Sequence, residues 1–143
     1  MLVKDVMNPS VAIIDGSATA QEAAKMMGDG DMGSLIVVKG DLLLGIITER
    51  DILRKVVAVS RDPKKAKVTE IMTKDVIMIG PDDDIEDAVE IMLAKRIKRL
   101  PVVKGSALIG IVTATDICAA EPKMIKQLTE LMLLPQAKKV MAG

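Results

Sequence analysis

The sequence predicts a mixed α+β fold: two βαββα repeats packed sheet to sheet about a pseudo-twofold axis, followed by a C-terminal helix. Three observations predict it. The chain repeats itself without a gap, Val3 to Leu53 matching Val68 to Cys118 at an offset of 65 residues. Short apolar runs alternate with a helical apolar face in the same order in both copies. Glycine turns and threonine or aspartate caps punctuate both copies at matching places. Identical pairs include Met7/Met72, Val11/Val76, Ile14/Ile79, Ala23/Ala88, Leu35/Leu100, Gly45/Gly110, Thr48/Thr113 and Asp51/Asp116. A unit of this length exceeds the usual solenoid repeat, so two copies point to a closed pair.

The elements follow in order. Val11 to Ile14 and Val76 to Ile79 are apolar runs read as strands. Thr19 with Glu22 has capping-box spacing, and Asp82, Asp83 and Asp84 supply caps at the matching helix. Ile85, Ala88, Val89 and Met92 fall on one helical face. Leu35 to Val38 and Leu100 to Val103 read as strands. Turns at Lys39-Gly40-Asp41 and Lys104-Gly105-Ser106 follow, and Leu43 to Ile47 and Leu108 to Val112 return as hairpin partners. A last helix follows Thr48 and Thr113. The division is therefore repeat one at 1–60, a polar linker at 61–67 with Pro63, repeat two at 68–121, and a C-terminal helix and tail at 122–143. A three-stranded unit has a small core, so one compact module is expected. In the tail, Pro122 suits a first helical turn. Met124, Leu128, Leu131 and Met132 form a stripe opposite Lys123, Lys126 and Glu130 in a helix read to Leu134. The stripe either closes the core or pairs two chains.

Composition narrows the function. Twenty basic residues balance twenty acidic ones, so no net field draws the chain to nucleic acid or an anionic membrane. No apolar run is long enough to span a bilayer, and Met1 to Ser10 lacks a signal-peptide core, so a cytoplasmic location is expected. The single Cys118 forms no internal disulfide, in keeping with a reducing compartment. The absence of histidine removes the commonest general base and zinc ligand, so neither a catalytic residue nor a metal or cofactor is expected. Without Phe, Tyr or Trp there is no stacking platform for single-stranded nucleic acid, and a purine must lie between aliphatic side chains and backbone. The 11 methionines fill core volume that rings would otherwise take.

The strongest local motif joins the third strand to the last helix. It reads Gly45-Ile46-Ile47-Thr48-Glu49-Arg50-Asp51 and again Gly110-Ile111-Val112-Thr113-Ala114-Thr115-Asp116. One reading is a capping box in which threonine and aspartate satisfy each other's backbone. The other lends the same groups to a ligand: a threonine hydroxyl and free helix N–H groups for a phosphate, a carboxylate for a ribose diol, Arg50 for added charge. Three bland readings complete the survey. Gly28-Asp29-Gly30-Asp31 lacks the downstream glutamate of a calcium loop. The basic run Lys95, Arg96, Lys98 and Arg99 is a solvated helix end, or Arg99, with Lys98, contacts an anion. Cys118 is a small buried side chain.

The doubled pattern resembles the CBS domain pair, or Bateman module. The matching features are DVM and EIM near the start of each repeat, the Leu100-Pro101-Val102-Val103 strand, Gly45 or Gly110, and the Thr-x-x-Asp after it. The resemblance covers roughly residues 2 to 120. It implies a disc-like homodimer, and two clefts between the repeats that hold AMP, ADP, ATP or S-adenosylmethionine. Asp51 or Asp116 would hold the ribose, with Thr48 or Thr113 near phosphate. The base would lie against Val11 and Ala12, or Val76 and Ile77. Where repeat two has Arg99-Leu100-Pro101, repeat one has Ser34-Leu35-Ile36, and Arg50 stands where Thr115 does, so the two clefts should differ. A nucleotide-sensing regulatory module is therefore expected, ahead of a structural module with empty clefts and of an enzyme. Its output is expected to pass through a homodimer or an unidentified regulated protein.

Overall fold

A computed structural model describes residues 1–133 of the chain. The end of the 122–143 segment, including Leu134, lies outside the described residues. The chain divides into two compact units. One comprises Val11–Val76 with Gly105–Leu108; the other comprises Met1–Ser10, Ile77–Lys104 and Ile109 onward. They are called here the repeat-one and repeat-two units. Among the described residues no helix is long and apolar enough to cross a membrane.

In the repeat-one unit, strand β1 (Ile13–Asp15) runs parallel to β2 (Ser34–Lys39), which pairs antiparallel with β3 (Leu42–Thr48). Helix α2 (Ala20–Asp29) connects the first two strands, after the short α1 (Val3–Val6) of the other unit. Its cap is the expected one, the Glu22 N–H donating to Thr19 Oγ1 at 3.2 Å. The hairpin turns at Gly40, whose φ of +62° favours glycine. After β3 comes α3 (Glu49–Ile52), continued by a π-helical turn, Leu53–Val57. The linker is more ordered than its polarity predicts. Ala66 is fully buried. Its carbonyl accepts the Ala20 N–H at 2.8 Å, and Pro63 does the same for Gln21 at 3.0 Å. The short helix α4 (Val68–Ile71) follows. Ile14, Ala23, Met27, Leu35, Val37, Ile47, Val68 and Ile71 lie in one core.

The repeat-two unit carries α5 (Ile85–Lys95), β4 (Arg99–Lys104), most of β5 (Ala107–Thr113) and α6 (Ala114–Ala120). The predicted apolar face holds, since Ile85, Ala88, Val89 and Met92 are all buried. The expected strand Val76 to Ile79 does not form in full. Only Ile79 bridges, in parallel, to Val102. In repeat one the ladder continues because the Gly16 N–H donates to the Val38 carbonyl at 2.9 Å. The matching residue in repeat two is Pro81, which has no N–H to give. Asp84 stands at the α5 N-cap without a side-chain bond; Asp83 Oδ2 instead accepts the Gly80 N–H at 2.9 Å.

The C-terminal segment forms a 3₁₀ turn, Pro122–Met124, and helix α7 (Ile125–Met132). Of the predicted stripe, Met124, Leu128 and Leu131 sit in the repeat-two core with Met92 and Ile117. That is the core-closing role.

The membership of the first ten residues has a local cause. The Asn8 N–H donates to the Ile111 carbonyl at 2.8 Å and the Ile111 N–H returns to the Asn8 carbonyl at 2.9 Å. A Cβ on Gly110 would stand 2.8 Å from Met7 Sδ and 3.0 Å from the Asn8 carbonyl oxygen. The repeat-one unit has the same joint: a Cβ on Gly45 would stand 2.6 Å from the Thr73 carbonyl oxygen and 2.7 Å from Met72 Sδ. The motif glycines and the DVM and EIM methionines are thus halves of one contact. Glycine is required there because the neighbouring backbone comes too close for any side chain.

Candidate functional site

Each unit builds the same small site where its hairpin meets its last helix. In the repeat-one unit Thr48 ends β3 opposite Ser34 of β2. The Glu49 N–H is tied to the Gly33 carbonyl at 3.0 Å. Gly33, Thr48, Glu49 and Arg50 line a cavity of about 360 Å³. In the repeat-two unit the Ala114 N–H is tied to the Lys98 carbonyl at 2.9 Å. Lys98, Arg99, Thr113, Ala114, Thr115 and Met132 line a cavity of about 300 Å³. The two sites are the repeat's copies of one another, with two additions in the second: Arg99, whose counterpart Ser34 does not line the first, and Met132 of α7.

Their charges differ. The first cavity is lined by both the Arg50 cation and the Glu49 carboxylate. The second carries Lys98 and Arg99 with no acidic residue in its lining. A phosphate would meet two cations with no carboxylate in the lining in the second and a nearby carboxylate in the first. The basic run therefore divides. Lys98 and Arg99 face the cavity, while Lys95 and Arg96 end α5, Arg96 in the left-handed region at φ +55°.

The two aspartates differ as sharply. Asp51 is buried, and its carboxylate is fully engaged. Its Oδ2 accepts the Thr48 N–H at 3.0 Å and the Thr48 hydroxyl at 3.1 Å. Its Oδ1 pairs with Lys55 Nζ at 3.1 Å. Its own N–H donates back to Thr48 Oγ1 at 3.1 Å, closing the capping box. At Asp116 only the backbone half persists, the N–H donating to Thr113 Oγ1 at 3.1 Å. Among the described residues nothing donates to the partly buried Asp116 carboxylate.

The remaining sequence candidates sort by burial. Val11 and Ala12 precede β1, and the Ala12 carbonyl accepts the Ile36 N–H at 3.0 Å, leaving the Ala12 side chain exposed. Val76 is half-buried in the repeat-one unit, while Ile77 is exposed in the repeat-two unit just before the Ile79 bridge. Leu100 is fully buried in the repeat-two core, so its side chain serves packing. Pro101 is buried as well, and its carbonyl accepts the Ile79 N–H at 3.0 Å. Arg99, Thr113 and Thr115 come together in one lining and Thr48 and Arg50 in another. Ser34 and the two aspartates stand beside these linings without entering them. The sequence placed Glu49 in the motif and Met132 in the tail stripe without assigning either to the site, and did not single out Lys55. The Asp51 to Lys55 spacing is a standard helix ion-pair signal that could have found the last of these.

Cys118 is poorly suited to chemistry. Burial pushes its thiol pKa up, and its Sγ lies 3.9 Å from Met132 Sδ. A thiol held protonated beside a thioether is a packing group.

Comparison with known proteins agrees with this duplication. The CBS domain model matches residues 3–58 and 68–123. The chain is 40% identical over 124 residues to an uncharacterised protein of Methanopyrus kandleri, covering 84% of this chain and 63% of that protein. It is 36% identical over 115 residues to the CBS domain-containing protein YhcV of Bacillus subtilis, covering 80% of this chain and 81% of that one. Among solved structures, the crystal structure of hypoxic response protein I with two coordinated zinc ions matches with a TM-score of 0.76 at 30% identity, covering 84% of this chain and 98% of that one. The chain spans less than two thirds of the Methanopyrus protein's length. The zinc belongs to the hypoxic response protein. This chain has no histidine and one cysteine, which does not make a zinc donor set of the usual kinds. Among the described residues no three cysteine or carboxylate side chains converge.

Proposed function

This chain belongs to the CBS-domain family, and on that premise we propose that it is a regulatory module that binds an adenine nucleotide (AMP, ADP, ATP or S-adenosylmethionine) and catalyses no reaction. The observation that carries the reading is the Asp116 carboxylate, which has no donor among the described residues and stands one turn beyond Thr113, beside a cavity lined by Lys98 and Arg99. A ribose diol supplies two hydroxyl donors to such a carboxylate, and two adjacent cations suit the phosphate that follows. Exposed aliphatic groups at Ile77 and Met78 supply an apolar surface for a base where the chain has no ring to stack on it. No metal is needed, because the phosphate charge is met by side chains.

The module works in the cytoplasm as a homodimer or through a regulated partner. Isothermal titration calorimetry in chelator tests the reading, with AMP, ADP, ATP and S-adenosylmethionine titrated separately and GMP as the comparison. Saturable heat with at least one adenine ligand supports it. No heat from any of the four at millimolar concentration overturns it in favour of a purely structural module.

A further inference from the structure

Both repeats keep the aspartate, yet the two carboxylates stand in different company. Lys55 Nζ lies 3.1 Å from Asp51 Oδ1, and the same ammonium donates to the Ile71 carbonyl at 2.9 Å. Held from two sides, it keeps the Asp51 carboxylate turned with its other oxygen on Thr48, at 3.0 and 3.1 Å. The residue 65 positions on is Ala120, which carries no head group. Among the described residues Asp116 has neither an ion pair nor the closed capping box. The threonines are the same in both repeats, so the lysine is the difference in direct contact with the carboxylate.

We propose that Lys55 is a specificity-determining residue that holds Asp51 back from ribose, so that nucleotide fills the repeat-two site ahead of the repeat-one site. The inference rests on the reading of Asp116 as a ribose acceptor and adds which site fills first and why. A ribose at Asp51 must displace an ammonium that has a second anchor, and the displaced charge is left beside the Ile71 carbonyl. An ion pair of this partly exposed kind sets a difference of up to about fivefold in affinity, and the Thr48 bonds that it keeps in place widen the gap. The lysine is therefore a gate on one copy of a duplicated site, which makes the two halves of the module unequal without changing either motif.

The test is the affinity of each of the two sites in the chain. Wild type, Lys55→Ala, Lys55→Met and Ala120→Lys are titrated calorimetrically with AMP. Adenosine serves as the phosphate-free probe, so that Glu49 plays no part. Circular dichroism and melting confirm that each variant is folded. Lys55→Met keeps the stem packed if Lys55→Ala is too unstable, and Ala120→Lys adds a side chain at an exposed position. Wild type is expected to bind its second equivalent about fivefold or more weaker than its first and both Lys55 variants to narrow that gap, with Ala120→Lys weakening the repeat-two site about fivefold. Two equivalents of equal affinity in wild type would overturn the inference while leaving the nucleotide reading intact. So would an unchanged gap in both Lys55 variants with Ala120→Lys binding as wild type does. No binding of any adenine ligand to wild type would instead remove the nucleotide reading, and this inference with it.

Discussion

Asp116→Ala and Asp51→Ala should part company, because the same residue type does two different jobs in the two repeats. Asp116 offers its carboxylate to no protein donor among the described residues, so its removal costs the free protein little. The backbone bond from residue 116 to Thr113 Oγ1, 3.1 Å long, does not depend on the side chain. Asp51 loses two bonds from Thr48, at 3.0 and 3.1 Å, and the Lys55 pair at 3.1 Å. A lost cap costs about 1 kcal/mol, and stranding the Thr48 N–H adds about as much. For a chain of this size that total of about 2 kcal/mol lowers Tm by roughly 6–8 °C. Ligand affinity should move the opposite way. Two hydrogen bonds from a ribose to a charged acceptor contribute about 1.5–3 kcal/mol each, so Asp116→Ala should weaken nucleotide binding at least about tenfold. The assay is a thermal-shift series with an external dye, since the chain has no aromatic residue for intrinsic fluorescence, paired with calorimetry. The expected pattern is a near-native apo Tm and lost binding for Asp116→Ala, and a lowered Tm with nearly full binding for Asp51→Ala. If Asp116→Ala lowers Tm as much as Asp51→Ala and leaves affinity unchanged, Asp116 is a cap and the ribose assignment fails.

Further tests bear on the rest of the structure. Gly45→Ala should destabilise by about 1–3 kcal/mol, read by urea denaturation, because its Cβ would meet the Thr73 carbonyl oxygen at 2.6 Å, where no flexible side chain can yield. Leu128→Ala should cost about 2–5 kcal/mol if α7 closes the repeat-two core, since Leu128 is fully buried; a change under about 0.5 kcal/mol would remove α7 from that core. Arg99→Ala should weaken ATP more than adenosine and flatten the salt dependence of binding, whereas equal losses for both would take Arg99 off the phosphate. The Asp15 carboxyl is held below its ordinary 3.8 by the Ser17 hydroxyl first and the Ser17 N–H second. Its contribution to stability is thus present above about pH 4 and lost as pH falls through the lower folded pKa. A carboxyl NMR titration that places Asp15 at or above 3.8 would contradict those bonds.

Local features were legible in the sequence because their cause is local. The hairpins follow from apolar runs around Gly40 and Gly105, whose φ values of +62° and +65° only glycine adopts freely. The Thr19 and Thr48 caps follow from three-residue spacings, and the α5 core face from its periodicity. What stayed hidden depends on which copy meets which. In a duplicated chain Met7 is as good a neighbour for Gly45 as for Gly110, and only the fold shows that Met7 and Asn8 meet Gly110 and Ile111. The short first strand of repeat two was hidden by an apolar pattern that says nothing about the missing N–H of Pro81 two residues beyond Ile79. The ligand motif showed its residue types but not their state. Thr-x-x-Asp reads identically at Asp51 and Asp116. The difference lies in Lys55 and Ala120, four residues farther on, and in the Glu49 carboxylate against Ala114.

The most direct measurement is a calorimetric titration of AMP, ADP, ATP and S-adenosylmethionine into the intact chain, in chelator, repeated with Asp116→Ala. Saturable binding of at least one adenine ligand is expected, its tighter equivalent lost in the Asp116 variant while the melting temperature stays near that of wild type. Undiminished binding by the folded Asp116 variant would contradict the site. No heat from any of the four ligands at millimolar concentration would contradict nucleotide sensing itself.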